Sequence, residues 1–177
     1  MKHEALDRGA SPLGGDAQRG EQPEQLRLFQ VAQTELTSDD YYTPKWIFDA
    51  MKIEFDLDVA CPPEGPLHTP CRAYYTQADD GLASPWNGRV FMNPPFSNTT
   101  PWIRKFTAHA NGIAVVQVSK ALWFDQLWND CDGIVILPAR LKYVDPTGGN
   151  GSISIASSIV AFGVENVQAI SRLGRVR

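Results

Sequence analysis

Four consecutive residues, Asn93-Pro94-Pro95-Phe96, combine acceptor and stacking groups in a spacing suited to holding an aromatic amine for alkylation. The preceding Arg89-Val90-Phe91-Met92 is dominated by β-branched and aromatic residues and reads as a buried strand. Neither proline has an N–H, and each confines its predecessor, Asn93 or Pro94, to extended backbone, so sheet pairing stops and a stiff corner follows. Such a corner presents the Asn93 amide oxygen and the Pro94 carbonyl as two acceptors of fixed direction, with the Phe96 ring beside them. An exocyclic amine on an aromatic ring is a poor nucleophile because its lone pair is delocalised. Two acceptors drawing on its hydrogens favour the tetrahedral, reactive form. That chemistry needs no strong base, no metal and no covalent intermediate.

Other segments join this corner in a fixed order: Tyr42-Thr43-Pro44-Lys45-Trp46-Ile47, Phe55-Asp56-Leu57-Asp58-Val59-Ala60, Asp80-Gly81-Leu82, Pro85-Trp86, Trp123-Phe124 and Arg140-Leu141-Lys142-Tyr143. Across roughly residues 39–163 the set resembles the phage-type DNA N6-adenine methyltransferases, the Dam type among the Asn/Asp-Pro-Pro-Tyr/Phe amino-methyltransferases. The resemblance implies S-adenosylmethionine as cofactor and double-stranded DNA as substrate. It also implies roles. Tyr42, Thr43 and Pro44 would meet the methionine carboxylate through a hydroxyl and a helix N-terminus. Asp58 would accept from the cofactor's amino or ribose groups, and Asp80 would bind its adenine amino group, with Asp79 as an adjacent competitor. Asn93, Pro94, Pro95 and Phe96 would form the catalytic corner, Phe96 stacking on a flipped base and Tyr143 second to it. Arg140 and Lys142 would complete the substrate contacts. Alanine, Ala139, stands where the relatives carry glycine before the arginine. The same kind of corner serves cytosine N4 or glutamine in other branches. A catalytically inactive nucleic-acid-binding relative is the remaining alternative.

Composition bounds the rest. At 177 residues and 43% hydrophobic content the chain supports one core of ordinary domain size. No apolar run is long enough for a membrane span and the N-terminus carries no apolar leader, so a cytoplasmic location is expected. Cys61, Cys71 and Cys131 are odd in number and read as reduced thiols. Cys61, His68 and Cys71 match no common zinc spacing, so no metal is expected. A net charge of -4 argues against clamping long duplexes by bulk electrostatics, leaving only a local basic rim from Lys45, Arg104, Lys105, Lys120, Arg140 and Lys142. Oligomeric state and recognition sequence are not legible.

The elements that position these groups follow from pattern. Residues 1–37 are rich in polar residues and glycine and read as a disordered tail with a short helical turn near 26–29. Residues 38–165 form the catalytic domain and 166–177 a basic C-terminal tail. Thr43 and Pro44 make a cap-and-first-turn pair for a helix over 44–52. Residues 55–60 read as a strand delivering Asp56 and Asp58 on one face. Thr100-Pro101 begins a helix whose face is Ile103, Phe106 and Ala110, with Gly112 as its stop. Residues 113–118 read as a strand covered on both faces, 123–128 as a short helix, and 133–137 and 157–162 as strands. Alternating strands and helices predict an α/β sheet with right-handed crossovers. With the resemblance, this becomes a reduced Rossmann-like methyltransferase sheet, mostly parallel, ending in an antiparallel hairpin.

One feature departs from that pattern. A glycine-rich turn normally follows the first strand of a doubly wound sheet, where backbone approaches the ligand. Here the turn is Cys61-Pro62-Pro63-Glu64-Gly65-Pro66, and the stretch from Asp58 to Asp80 is too short for two strands with intervening helices. Either the sheet is reduced at one edge or the segment is largely loop.

Overall fold

The computed structural model describes residues 37–138, 141–146, 148–151 and 156–177. The expected tail, Thr37 apart, and Arg140 lie outside them.

Strands β1 (Phe55–Asp58), β2 (Cys71–Tyr74), β3 (Val90–Met92), β4 (Gly112–Gln117), β5 (Gly133–Ile136) and β8 (Ser157–Phe162) form one sheet in the order β2-β1-β3-β4-β8-β5. The first four are parallel, and β8 runs antiparallel to both neighbours. The expected closing pair of antiparallel strands is present, with the refinement that β8 lies between β4 and β5. A separate two-stranded ladder joins β6 (Tyr143–Val144) to β7 (Asn150–Gly151).

Period-two alternation sorts the side chains into two layers, with a break inside β1, where the N–H groups of Asp56 and Leu57 both donate to the Arg89 carbonyl and Phe55 and Leu57 fall on opposite faces. Leu57, Val90, Met92, Ala114, Val116, Val160 and Phe162 face helices α2 (Thr99–His109) and α3 (Leu122–Asp130), packing on Trp102, Ile103, Phe106, Phe124 and Leu127. Phe55, Phe91, Ile113, Val115, Ile159 and Ala161 face α1 (Lys45–Met51) and α4 (Val164–Ile170), packing on Ile47, Phe48, Met51, Ala169 and Ile170. Every residue of β8 is buried, as a strand covered on both faces requires.

The two readings of the short segment after Asp58 both hold. Among the described residues β2 alone lies beyond β1 at this edge, and the crossover between them contains no helix. Its one glycine, Gly65 (φ 94°), closes a turn in which its N–H donates to the Pro62 carbonyl, so the residue serves chain reversal.

Local boundaries differ from expectation in three places. Pro44, with extended backbone, occupies the N-cap of α1, so Thr43 stands outside the helix and caps nothing. Helix α2 begins at Thr99 after a 3-10 turn (Phe96–Asn98) and ends with Ala110 in the left-handed region (φ 55°), two residues before Gly112. The residues after 163 are docked: α4 packs on the sheet, and Arg177 exchanges both backbone hydrogen bonds with Ile134 at 3.2 and 3.0 Å.

Candidate active site

The parallel strands place their carboxyl ends side by side. Asp58 at the end of β1 is in register with Phe91 of β3, two residues before Asn93. From β1 the chain moves outward to β2, then returns to β3 on the other side, so the strand order reverses between β1 and β3. A crevice opens at such a switch point. There a cavity of about 410 Å³ is walled by Tyr42 and Thr43 before α1, Asp58 to Pro63 after β1, Leu67 to Thr69, Asp80 and Gly81, and Asn93 and Pro95 after β3. That volume falls in the range of small-molecule sites.

Asn93 is half-buried and its Nδ2 donates to the Tyr41 carbonyl at 3.1 Å. A carbonyl can only accept, so this bond fixes which way the amide faces and leaves Oδ1 as the free acceptor. No described residue donates to Oδ1 or to the Pro94 carbonyl. Both acceptors anticipated from the sequence are therefore unspent. The segment that supplies Tyr41 is tied to the corner a second time, because the Asp39 carboxylate accepts from the backbone N–H (3.0 Å) and hydroxyl of Ser97. Sequence reasoning missed Asp39, since nothing in its neighbourhood signals a partner so distant in the chain.

Asp58 is 3% exposed and lines the cavity. Burial pushes its carboxyl up to about 6, against the opposing pull of a Thr69 hydrogen bond and the Ala60 N–H. The Ala60 N–H donates to Oδ1 at 3.2 Å. Asp56 has a different fate: its carboxylate accepts from the Arg89 N–H at 2.8 Å and pairs with Arg72 at 3.1 Å, away from the cavity. Of the two acidic residues, only the one at the strand's carboxyl end reaches the crevice.

Asp79 and Asp80 differ in what their carboxylates touch. The Asp79 carboxylate accepts from both the backbone N–H and the hydroxyl of Thr76 at 2.8 Å, closing a capping box, and these bonds hold it below the usual carboxylate range. Asp80 follows in the left-handed region (φ 47°) and lines the cavity.

Thr43 Oγ1 is buried with no partner among the described residues. Such an orphaned hydroxyl in a cavity wall needs a ligand or water to satisfy it. Tyr42 is anchored by backbone bonds to Val144 at 2.8 and 3.1 Å, and its hydroxyl is raised above its ordinary value by burial first, then by Glu64 and Asp40. Burial pushes the Cys61 thiol up, and that of Cys71 up to about 11, so both stay protonated and unreactive at neutral pH. His68, given no role by the sequence, also lines the cavity. Among the described residues no group of His, Cys, Asp and Glu side chains is arranged to hold a metal.

Three expected substrate residues stand elsewhere. Tyr143 is 1% exposed, packs in the α1/α4 layer and donates to the Ser157 hydroxyl at 2.7 Å. This corrects the expectation of a second stacking ring, because neither face is free. Phe96 is 9% exposed within the 3-10 turn and does not line the cavity, so in this structure it is no open stacking platform. Lys142 is exposed, away from the cavity wall. Pro94 is buried behind the corner it stiffens, and Pro44 behind Thr43.

The sequence model of a family described as DNA N-6-adenine-methyltransferase (Dam) matches residues 31–171. The chain is also 28% identical over 123 residues to a protein of Haemophilus phage HP1 (strain HP1c1) named DNA N-6-adenine-methyltransferase, a match covering 63% of this chain and 69% of that relative. No solved structure matches it.

Proposed function

The chain belongs to the DNA N-6-adenine-methyltransferase (Dam) family, and from that membership we propose that it transfers a methyl group from S-adenosylmethionine to N6 of adenine in double-stranded DNA. The observation that carries the reading is the Asn93 amide, turned by the Tyr41 carbonyl so that Oδ1 stands unspent beside the cavity that holds Asp58.

The donor set fits this cofactor. A zwitterionic amino acid end, a ribose diol and an adenine call for carboxylates and directed polar groups. Asp58 offers a buried carboxylate for the amino or ribose donors, Thr43 an unsatisfied hydroxyl for the methionine carboxylate, Tyr42 an adjoining wall, and Asp80 a carboxylate for the adenine amino group. When bound, S-adenosylmethionine supplies an electrophilic methyl group on a sulfonium. Asn93 Oδ1 and the Pro94 carbonyl accept from the two N6 hydrogens, holding the amine pyramidal with its lone pair directed along the line of transfer. The base must leave the helical stack to reach them. Lys142 and Arg140 are assigned to the DNA backbone.

Incubating plasmid DNA with labelled cofactor, digesting it to nucleosides and separating the products tests this directly. Label is expected in N6-methyldeoxyadenosine. Label in N4-methyldeoxycytidine, or none at all with pure folded protein, overturns the assignment.

A further inference from the structure

Lys105 belongs to the stretch expected to supply a basic rim, yet its ammonium is turned inward. From the second turn of α2 it donates to the carbonyls of Gly81 (3.0 Å), Leu82 (2.8 Å) and Ser84, and it lies 4.8 Å from the centre of the Trp86 ring. The Gly81 carbonyl accepts a second bond from Trp86 Nε1 at 2.7 Å. One cation thus gathers the carbonyls of the corner that begins at Asp80. Asp80 sits in the left-handed region without being glycine, and its Oδ1 accepts from the Ala83 N–H at 3.2 Å, the local bond that suits an aspartate to this conformation and ties its carboxylate to the corner. Gly81 is pressed so close to the end of β1 that a Cβ there would lie 2.1 Å from the Val59 carbonyl. Small shifts at this corner therefore move the Asp80 carboxylate relative to Asp58.

We propose that Lys105 is a positioning residue for cofactor recognition, acting through the corner at 80–84 to hold the Asp80 carboxylate at the cavity wall. A point charge with three freely placed donors suits three converging carbonyls, whereas a planar guanidinium does not. The proposal rests on S-adenosylmethionine occupying this cavity. It separates Lys105 from its neighbour Arg104, which is exposed and faces the groove between α2 and α3.

The test measures S-adenosylmethionine binding by calorimetric titration, together with KM for cofactor and for DNA, in the wild type and in Lys105→Met, Lys105→Arg and Arg104→Met, with thermal unfolding of each. Lys105→Met is expected to weaken cofactor binding on the order of tenfold or more, the consequence of losing charge-assisted hydrogen bonds. KM for cofactor rises with it while KM for DNA is unchanged. Lys105→Arg falls between, and Arg104→Met binds cofactor as the wild type does. A folded Lys105→Met with wild-type cofactor affinity, or one in which both KM values rise together, overturns the role. Should Lys105→Met show no cooperative unfolding transition, Lys105→Arg decides, and wild-type affinity in that variant also overturns it. A wild-type protein that binds no cofactor overturns the functional reading beneath, and this role with it.

Discussion

At the residue scale two side chains have opposite characters. Asn93 has one half of its amide spent on the Tyr41 carbonyl and the other half free. Asn93→Ala removes an acceptor aimed at the reacting amine, so turnover is expected to fall about 100-fold, the usual effect of deleting one preorganised polar contact, with cofactor affinity retained. Single-turnover kinetics beside calorimetry check both halves; unaltered turnover defeats the assignment. Asp58 is a charge kept in a place that disfavours charge. Its folded value near 6 lies above the ordinary carboxylate value, so its contribution to folding is full below about pH 4 and is lost as pH rises toward 6 and beyond. At neutral pH that burial costs about 3 kcal/mol, two pH units at about 1.4 each. Asp58→Asn is therefore expected to raise the melting temperature of the ligand-free protein at pH 7.5, with the gain shrinking as pH falls toward 4. The same variant should bind cofactor weakly and lose the wild type's pH dependence, in which affinity climbs up to about pH 6 and then levels. A melting temperature lowered at pH 7.5 contradicts the desolvation argument. Asp58 and Asn93 were legible because strand ends and proline corners are local. The burial of Tyr143 was not, since a tyrosine's surroundings come from strands far away in sequence.

At the element scale the segment preceding α1 works as a strap. Its 3-10 turn (Ser38–Asp40) is bound to the turn at Phe96–Asn98 through Asp39 and Ser97, and Tyr41, the residue that follows it, orients Asn93. Asp39→Ala is expected to slow methyl transfer on the order of tenfold with little change in cofactor affinity, because about one charged hydrogen bond's worth of restraint on the corner is lost. Ser97→Ala should reproduce part of that loss and add little in the double variant, as a shared interaction predicts. Additive losses would show that the two act apart. The strap was invisible in the sequence: two short 3-10 turns carry no periodicity. The strands were plain for the opposite reason, their runs of apolar, β-branched and aromatic residues being strong local signals, as in β3, β4 and β8. The stop of α2 misled because glycine is the usual left-handed residue, yet Ala110 adopts that conformation two positions earlier.

At the scale of the whole molecule, charge sets how DNA is met. The chain is net -4, Lys105 is turned inward, Lys45 is paired with Asp49, and Arg172 is engaged by the Met51 carbonyl. Among the described residues few cations remain for phosphates. With about four engaged, the slope of log affinity against log salt should be no steeper than about -4. Fluorescence anisotropy on a duplex across a salt series measures it, and a slope near -8 would mean that a larger basic surface forms on binding. The sheet itself was legible in class from alternating elements, while the seat of its last strand was not, because insertion between β4 and β5 is a decision of topology. That seat bears on biogenesis. Until Phe162 has been synthesised, β4 and β5 each present an unpaired flank toward a vacant slot, the arrangement most open to pairing with another nascent chain. The last sheet strand made is the one that seals the molecule against its own copies, so substitutions weakening β8 should first appear as lost soluble yield.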